Sequence, residues 1–166
     1  GIYLLAWDIN INNSEVYDPA NLSLKRNQFI IQAIKGVVSS SKIWENLNLG
    51  WHLKSGLTVQ VKSLVEWVIY NDVFVDGEYD LPILKTLESV SASRPVEILD
   101  LGANVGFFTW RFADLFVKNK KNKTSLKITL VEGSPTVYTE LKSRITETKS
   151  TWDSQEIELR PVHGLI

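Results

Sequence analysis

The sequence of 166 residues contains no cysteine and no methionine. Without cysteine the chain forms no disulfide, no thiolate metal site and no cysteine nucleophile. This composition is compatible with a reducing compartment, and we expect a cytoplasmic protein. The sequence also lacks an excess of either charge, because 18 basic residues against 19 acidic ones leave a net charge of −1. We therefore expect a small-molecule partner and not a nucleic acid or an anionic membrane.

Long apolar runs are missing too, since none approaches the roughly 18 residues of a membrane span. With 44% hydrophobic and 22% charged residues, the composition is that of a globular protein. A chain that begins at Gly1 without any methionine is expected to be tagged, processed or a piece of a longer protein.

The first 58 residues are predicted to form a mainly helical extension. An apolar stretch at residues 2–7 indicates a short strand. Asp18 and Pro19 are typical of a helix start, and the apolar spacing that follows indicates an amphipathic helix that ends near Gly50.

Residues 59–166 are predicted to belong to an α/β domain. Ser63 and Glu66 have the spacing of a capping box, which opens a helix. Further along, strands alternate with helices, and this alternation predicts a parallel sheet with right-handed crossovers. The predicted elements are a strand at 57–61, helices at 63–72 and 82–90, a strand at 96–101, a helix at 108–116, a strand at 126–131, a helix that starts at Ser134-Pro135, and a strand at 157–162.

The loop after the strand at 96–101 is the first candidate site, because ligands of parallel sheets bind at the carboxyl ends of the strands. Gly102 and Gly106 allow a tight turn and a close approach of the backbone to a ligand. A dinucleotide site requires Gly-x-Gly-x-x-Gly, but Asn104 occupies the middle glycine position. Asp100 at the strand end repels a pyrophosphate and suits the cationic amino-acid end of S-adenosylmethionine (SAM). These features favour SAM over a dinucleotide.

The second strand of this alternating region ends in Glu132, where a carboxylate can accept hydrogen bonds from the two hydroxyls of a ribose. Because the two strands are expected to be adjacent, Asp100 and Glu132 are expected to be neighbours in space. A solvated carboxylate and an ordinary glycine turn remain the alternatives for each feature taken alone.

Three segments carry a family resemblance. Glu97-Ile-Leu-Asp-Leu-Gly-Ala-Asn-Val-Gly-Phe-Phe-Thr109 resembles motif I of class I methyltransferases, and its Gly-Ala-Asn-Val-Gly form resembles the FkbM type. Asn71-Asp-Val-Phe-Val-Asp-Gly-Glu-Tyr79 and Leu130-Val-Glu-Gly-Ser-Pro135 are similar to further segments of that family. The resemblance covers roughly residues 59 to 166 and implies a Rossmann-like sheet.

The resemblance also implies SAM-dependent methyl transfer to a hydroxyl of a sugar, another glycan or a secondary metabolite. Glu132 is implied to bind the ribose and Tyr79 to help close the site. Phe107, the core aromatic residue nearest the loop, is also expected among the cofactor-binding residues. The residues implied to line the methionine part are Gly102, Ala103, Asn104 and Gly106, and those at the edge of the adenine pocket are Gly133 and Ser134.

A complete sheet of this class has seven strands in the order 3-2-1-4-5-7-6, and the sequence supplies only the first three. We therefore expect a truncated methyltransferase domain without an identifiable catalytic residue. Its uncovered strand would pair with the remaining half of the parent protein or with a second copy. The alternatives are an NAD-dependent Rossmann oxidoreductase and a non-catalytic interaction module.

Both histidines invite a functional interpretation but lack a partner at metal-ligand or catalytic spacing. His163 and His52 are therefore expected to be structural or exposed, and no metal site is expected. The Lys/Asn-rich run at 118–123 is interpreted as a solvated connection and not as a nucleic-acid contact.

Overall fold

The structure is a computed structural model that describes residues 49–90, 94–119 and 125–164. The chain divides into two compact units between Asp76 and Gly77. The predicted strand at 2–7 and the start of the predicted amphipathic helix lie outside the described residues, and the predicted boundary at 58/59 stays a prediction.

The first unit contains an antiparallel hairpin of β1 (Leu49–His52) and β2 (Thr58–Val61). The strand predicted at 57–61 is thus confirmed. The prediction of a helix that ends near Gly50 is wrong at its end, because Gly50 is paired with Gln60 in the hairpin. A glycine after an apolar run fits both a helix end and a strand, and here the cross-strand pairing decides.

Helix α1 (Leu64–Tyr70) follows the hairpin and continues into a π-helical turn, Asn71–Val75. Ser63 caps α1 as predicted, since its Oγ accepts a hydrogen bond from the Glu66 amide at 3.1 Å. The core of this unit combines aliphatic side chains with an aromatic cluster. The rings of the cluster are stacked or tilted at 4.6 to 5.9 Å and belong to Trp51, Trp67, Tyr70 and Phe74.

The second unit alternates helices and strands as predicted. Its elements are α2 (Asp80–Ser89), β3 (Val96–Leu101), α3 (Phe107–Asn119), β4 (Leu126–Glu132), α4 (Pro135–Glu147), α5 (Lys149–Ser154) and β5 (Ile157–His163). The short helix α5 was not predicted. It turns back onto α3, where the rings of Trp152 and Trp110 meet edge to face at 5.0 Å.

The three strands form a parallel sheet in the order β3-β4-β5, flanked by helices. The unit is therefore an α/β fold, consistent with a Rossmann-like core. Pro161 lies in β5, an edge strand, where a residue without an amide hydrogen is tolerated. The register places Asp100 beside Leu130 and Glu132 beside His163, so the ends of all three strands meet at one edge.

Strand β3 is the other edge of this sheet within the described residues. The side chains of Val96 and Asp100 are buried, whereas Leu99 and Leu101 are 60% and 54% exposed. Since side chains alternate between the faces of a strand, one face of β3 is covered, and the other exposes the two leucines together with Glu97.

Candidate functional site

The loop at residues 102–106 joins β3 to α3 at the carboxyl end of the sheet. The amides of Gly102 and Ala103 both donate to the carbonyl of Val131 on β4, at 3.0 and 2.9 Å. The loop therefore starts as an extension of the parallel ladder and lies over the end of the neighbouring strand. This is the position in which ligands of parallel α/β sheets bind.

Three positions in this loop have a left-handed backbone: Gly102 with φ of 75°, Asn104 with 50° and Gly106 with 96°. Asparagine tolerates this conformation better than most residues with a side chain, and glycine adopts it at no steric cost. The left-handed backbone therefore accounts for the Gly-x-Asn-x-Gly spacing by itself, with or without a ligand at the loop.

The two glycines differ in what surrounds them. A Cβ added to Gly106 would lie 2.2 Å from Cζ3 of Trp110 and 3.1 Å from Cδ1 of Leu141, so the absence of a side chain is a packing requirement. A Cβ added to Gly102 would meet no atom within 4 Å. Gly102 therefore faces open space, and its missing side chain leaves room for a ligand.

The loop residues divide into exposed and buried ones. Gly102 and Asn104 are exposed, whereas Ala103 and Gly106 are buried. Ala103 can therefore reach a ligand through its backbone only. Phe107, the first residue of α3, is buried as well, in agreement with its predicted place in the core.

Glu132 connects two loops through its carboxylate. Its Oε2 accepts a hydrogen bond from the Asn104 amide at 2.9 Å, and its Oε1 accepts one from the Ser134 amide at 2.8 Å. Each carboxylate oxygen accepts more than one hydrogen bond, so capacity for donors of a ligand remains. The expected pairing of β3 with β4 is confirmed. Asp100 is opposite Leu130, two residues before Glu132, and Glu132 contacts the loop after β3 through the Asn104 amide.

Asp100 is buried at the end of β3, and its Oδ2 accepts a hydrogen bond from Oγ1 of Thr109 on α3 at 2.7 Å. Removal from water raises the pKa of the Asp100 carboxyl, and the hydrogen bond from Thr109 opposes this change. Thr109 was not predicted as part of the site. It is the third residue of α3, and the strand-loop-helix geometry brings it back to Asp100.

We expect Asp100→Asn to increase the free energy of unfolding at pH 7, because the substitution removes a buried charge and keeps an oxygen for Thr109. Burial raises the folded-state pKa of Asp100 above its unfolded value. The ionised carboxylate therefore destabilises the fold at neutral pH, and this cost disappears as the pH falls through the folded-state pKa. Urea unfolding of both proteins at pH 7 and near pH 4 measures the difference. If Asp100→Asn were less stable than the unaltered protein at pH 7, the destabilising effect assigned to the ionised Asp100 carboxylate would be contradicted.

The loop after β4 is fixed from two sides. Ser134 caps α4, with its Oγ accepting from the Val137 amide at 3.5 Å. The carbonyl of Gly133 accepts a hydrogen bond from Nε2 of His163 at 3.1 Å, and the His163 ring lies 5.2 Å from the ring of Tyr138. His163 is exposed, in line with the structural interpretation, yet it lies beside Glu132, as the parallel register requires.

Tyr79 is the residue before α2, in the same compact unit as the loop. The residue is 37% exposed, and its ring meets the ring of Phe108 edge to face at 5.3 Å. Phe108 is the second residue of α3, directly after the loop and Phe107. Tyr79 is thus adjacent to the predicted site, although it precedes the loop by 23 positions in the sequence.

Other predicted features lie elsewhere. His52 is in the hairpin of the first unit, where its Nδ1 is 2.9 Å from Oγ1 of Thr58. Among the described residues, no three side chains of the metal-binding types are grouped to hold an ion. The described helices include none with both the length and the apolar character needed to cross a membrane.

No family model matches the sequence, and a search of curated proteins finds no match. A functional proposal therefore rests on the sequence motifs and the geometry of the site.

Proposed function

We propose that the protein binds SAM at the carboxyl ends of β3 and β4 and is part of a SAM-dependent methyltransferase of the FkbM type. One observation carries this proposal. The Glu132 carboxylate is held by amides of both loops, next to a glycine, Gly102, whose side-chain direction is empty. A carboxylate beside an open glycine loop is the arrangement that a ribose with an adjoining chain requires.

The charge of the site supports SAM over a dinucleotide. Asp100 and Glu132 are both acidic and lie at the ends of adjacent strands. Two carboxylates repel a pyrophosphate, whereas they attract the cationic groups of SAM. Asp100 is buried, and a charged group in such a position interacts more strongly with a cation than it does in water.

We match the methionine, ribose and adenine parts of SAM to three sets of residues. The backbone of the 102–106 loop would hold the methionine part, with Gly102 and Asn104 on the exposed side. Glu132 would accept hydrogen bonds from the ribose hydroxyls, and Gly133 and Ser134 would border the adenine. The ring of Tyr79 would cover the site from the side of Phe108.

Bound SAM supplies a methyl group on a sulfonium, which makes that group inherently transferable. The protein then has to hold an acceptor oxygen in line with it and assist the removal of the acceptor proton. We propose a hydroxyl of a sugar or a secondary metabolite as the acceptor, on the basis of the family resemblance alone. The described residues provide no group to which the proton removal can be assigned.

We also propose that the sheet continues beyond β3 in the full-length protein. Leu99 and Leu101 are exposed on one face of that strand, and strands of parallel sheets are normally covered on both faces. The remaining strands of a seven-stranded sheet would pair with the edge of β3, and the helices that connect them would cover these side chains. The intact mass of the natural protein tests this proposal, and a natural product of 166 residues would contradict it.

Thermal-shift titration of the full-length protein with SAM, its demethylated product and NAD tests the proposed function. A ligand of the folded state stabilises it by about 2.7 kcal/mol at a hundredfold excess over its dissociation constant. We expect SAM and its product to raise the melting temperature and NAD to leave it unchanged. Stabilisation by NAD alone would support an oxidoreductase, and stabilisation by none of the three would support a non-catalytic module.

A further inference from the structure

A partly buried ion pair joins the start of α2 to the middle of α3. Arg111 donates to both carboxylate oxygens of Asp80, through Nε at 2.7 Å and Nη2 at 2.5 Å. The side chain of Arg111 is 6% exposed and that of Asp80 is 30% exposed. A bidentate pair of this kind fixes the direction of both side chains, which a single contact does not.

Arg111 is also held from its own helix. Its Nη1 donates to Oδ2 of Asp114 at 3.0 Å, and the same oxygen accepts from Nζ of Lys118 at 2.9 Å. The Asp114 side chain is fully buried. The guanidinium is therefore fixed between two carboxylates, and Asp80 binds to a partner that does not move independently of α3.

The turn before α2 is built to present Asp80 to this partner. Gly77 has a left-handed backbone with φ of 66°, and its carbonyl accepts a hydrogen bond from the Asp80 amide at 2.9 Å. A Cβ on Gly77 would lie 2.8 Å from Oδ2 of Asp80, so any side chain there would crowd the carboxylate. Tyr79 lies inside this turn and is bonded directly to Asp80.

We infer that Asp80 and Arg111 are a positioning pair, which sets the Tyr79 ring against Phe108 beside the cofactor loop. The inference rests on the proposed function and assigns Asp80 a part in SAM binding that it exerts through Tyr79. Three observations carry it: the bidentate pair, the burial of the Arg111 side chain, and the peptide bond that joins Tyr79 to Asp80. Without the pair, the start of α2 keeps its turn but loses its attachment to α3, and the ring contact at 5.3 Å is no longer enforced.

A double-mutant cycle on SAM affinity tests the inference in the full-length protein. We expect Asp80→Asn to weaken SAM binding roughly three- to tenfold when Tyr79 is present, and to change it less than twofold in a Tyr79→Ala background. Arg111→Lys, which keeps the charge but not the bidentate geometry, is expected to show the same pattern. It serves as the second variant if Asp80→Asn reduces the folded fraction measured by circular dichroism.

Glu78→Gln is the matched control, because Glu78 is exposed in the same turn and the substitution also neutralises one carboxylate. It is expected to leave SAM affinity unchanged. The positioning role would be overturned if Asp80→Asn lowered SAM affinity equally with and without Tyr79, or not at all with Tyr79 present. In that case SAM binding to the unaltered protein would still support the proposed function. Absence of SAM binding to the unaltered protein would overturn both.

Discussion

Replacement of Gly106 by alanine is expected to lower the free energy of unfolding by about 2–5 kcal/mol. The new Cβ would lie 2.2 Å from a ring carbon of Trp110, on the helix that follows the loop. Overpacking of a core costs roughly 1–3 kcal/mol, and a left-handed backbone costs a residue with a side chain roughly 1–2 kcal/mol more. Because domains are stable by only about 5–15 kcal/mol, the loss is a large fraction of the total.

Gly102→Ala is the matched control for this prediction. Its backbone is left-handed too, with φ of 75°, but the added Cβ meets no neighbour within 4 Å. We therefore expect a loss of only about 1–2 kcal/mol, together with weaker SAM binding because the methyl group enters the ligand space. Chemical unfolding of both variants provides the comparison. If Gly102→Ala were as destabilising as Gly106→Ala, the requirement for glycine at position 106 would come from backbone strain and not from packing against Trp110.

Substitution of Glu132 by alanine is expected to weaken SAM binding roughly 100-fold. The variant loses the proposed acceptor for the ribose hydroxyls, and each hydrogen bond to a charged group contributes roughly 1.5–3 kcal/mol. It also releases the amides of Asn104 and Ser134, so the two loops are no longer held at a fixed separation. Glu132→Gln is expected to lose roughly tenfold, since the amide oxygen keeps one acceptor and its NH₂ group faces a second donor.

Glu158→Gln is the control for Glu132. Glu158 lies on the same sheet, in β5, and its exposed carboxylate pairs with the exposed Lys127 at 3.4 Å. An exposed pair of this kind contributes little to stability, and no effect on SAM binding is expected. Calorimetric titration of the three variants measures the affinities. Unchanged SAM affinity in Glu132→Ala would remove the ribose assignment.

The sequence predicted the elements of the second unit closely, because local patterns determine them. The strand at 96–101 and the cap at Ser134 were found at their places, since apolar runs and capping side chains act over a few residues. The end of the helix near Gly50 was mispredicted because strand pairing depends on residues ten positions away. Helix α5 was missed for a related reason: it is six residues long, and Trp152 is buried against Trp110 of α3.

The geometry around the proposed site was predicted in part. Spacing predicted a glycine loop after β3 and Glu132 at the end of β4, and the pairing of the parallel strands brings these ends together. The attachment of Glu132 to two amides, and that of Asp100 to Thr109, depend on side-chain directions that spacing does not determine. The Asp80 and Arg111 pair spans 31 positions, and its residues carry no pattern that marks them in the sequence.

Nuclear magnetic resonance of glycine-labelled full-length protein tests the central claim most directly, because glycines lie both at the proposed site and far from it in sequence. With SAM, the account predicts shifts of the amide resonances of Gly102, Gly106 and Gly133, while those of Gly50 and Gly56 in the hairpin stay in place. NAD is expected to move none of them. If SAM left the three site resonances unchanged, or if NAD moved them to the same extent, the assignment of this loop to a sulfonium nucleoside would be contradicted.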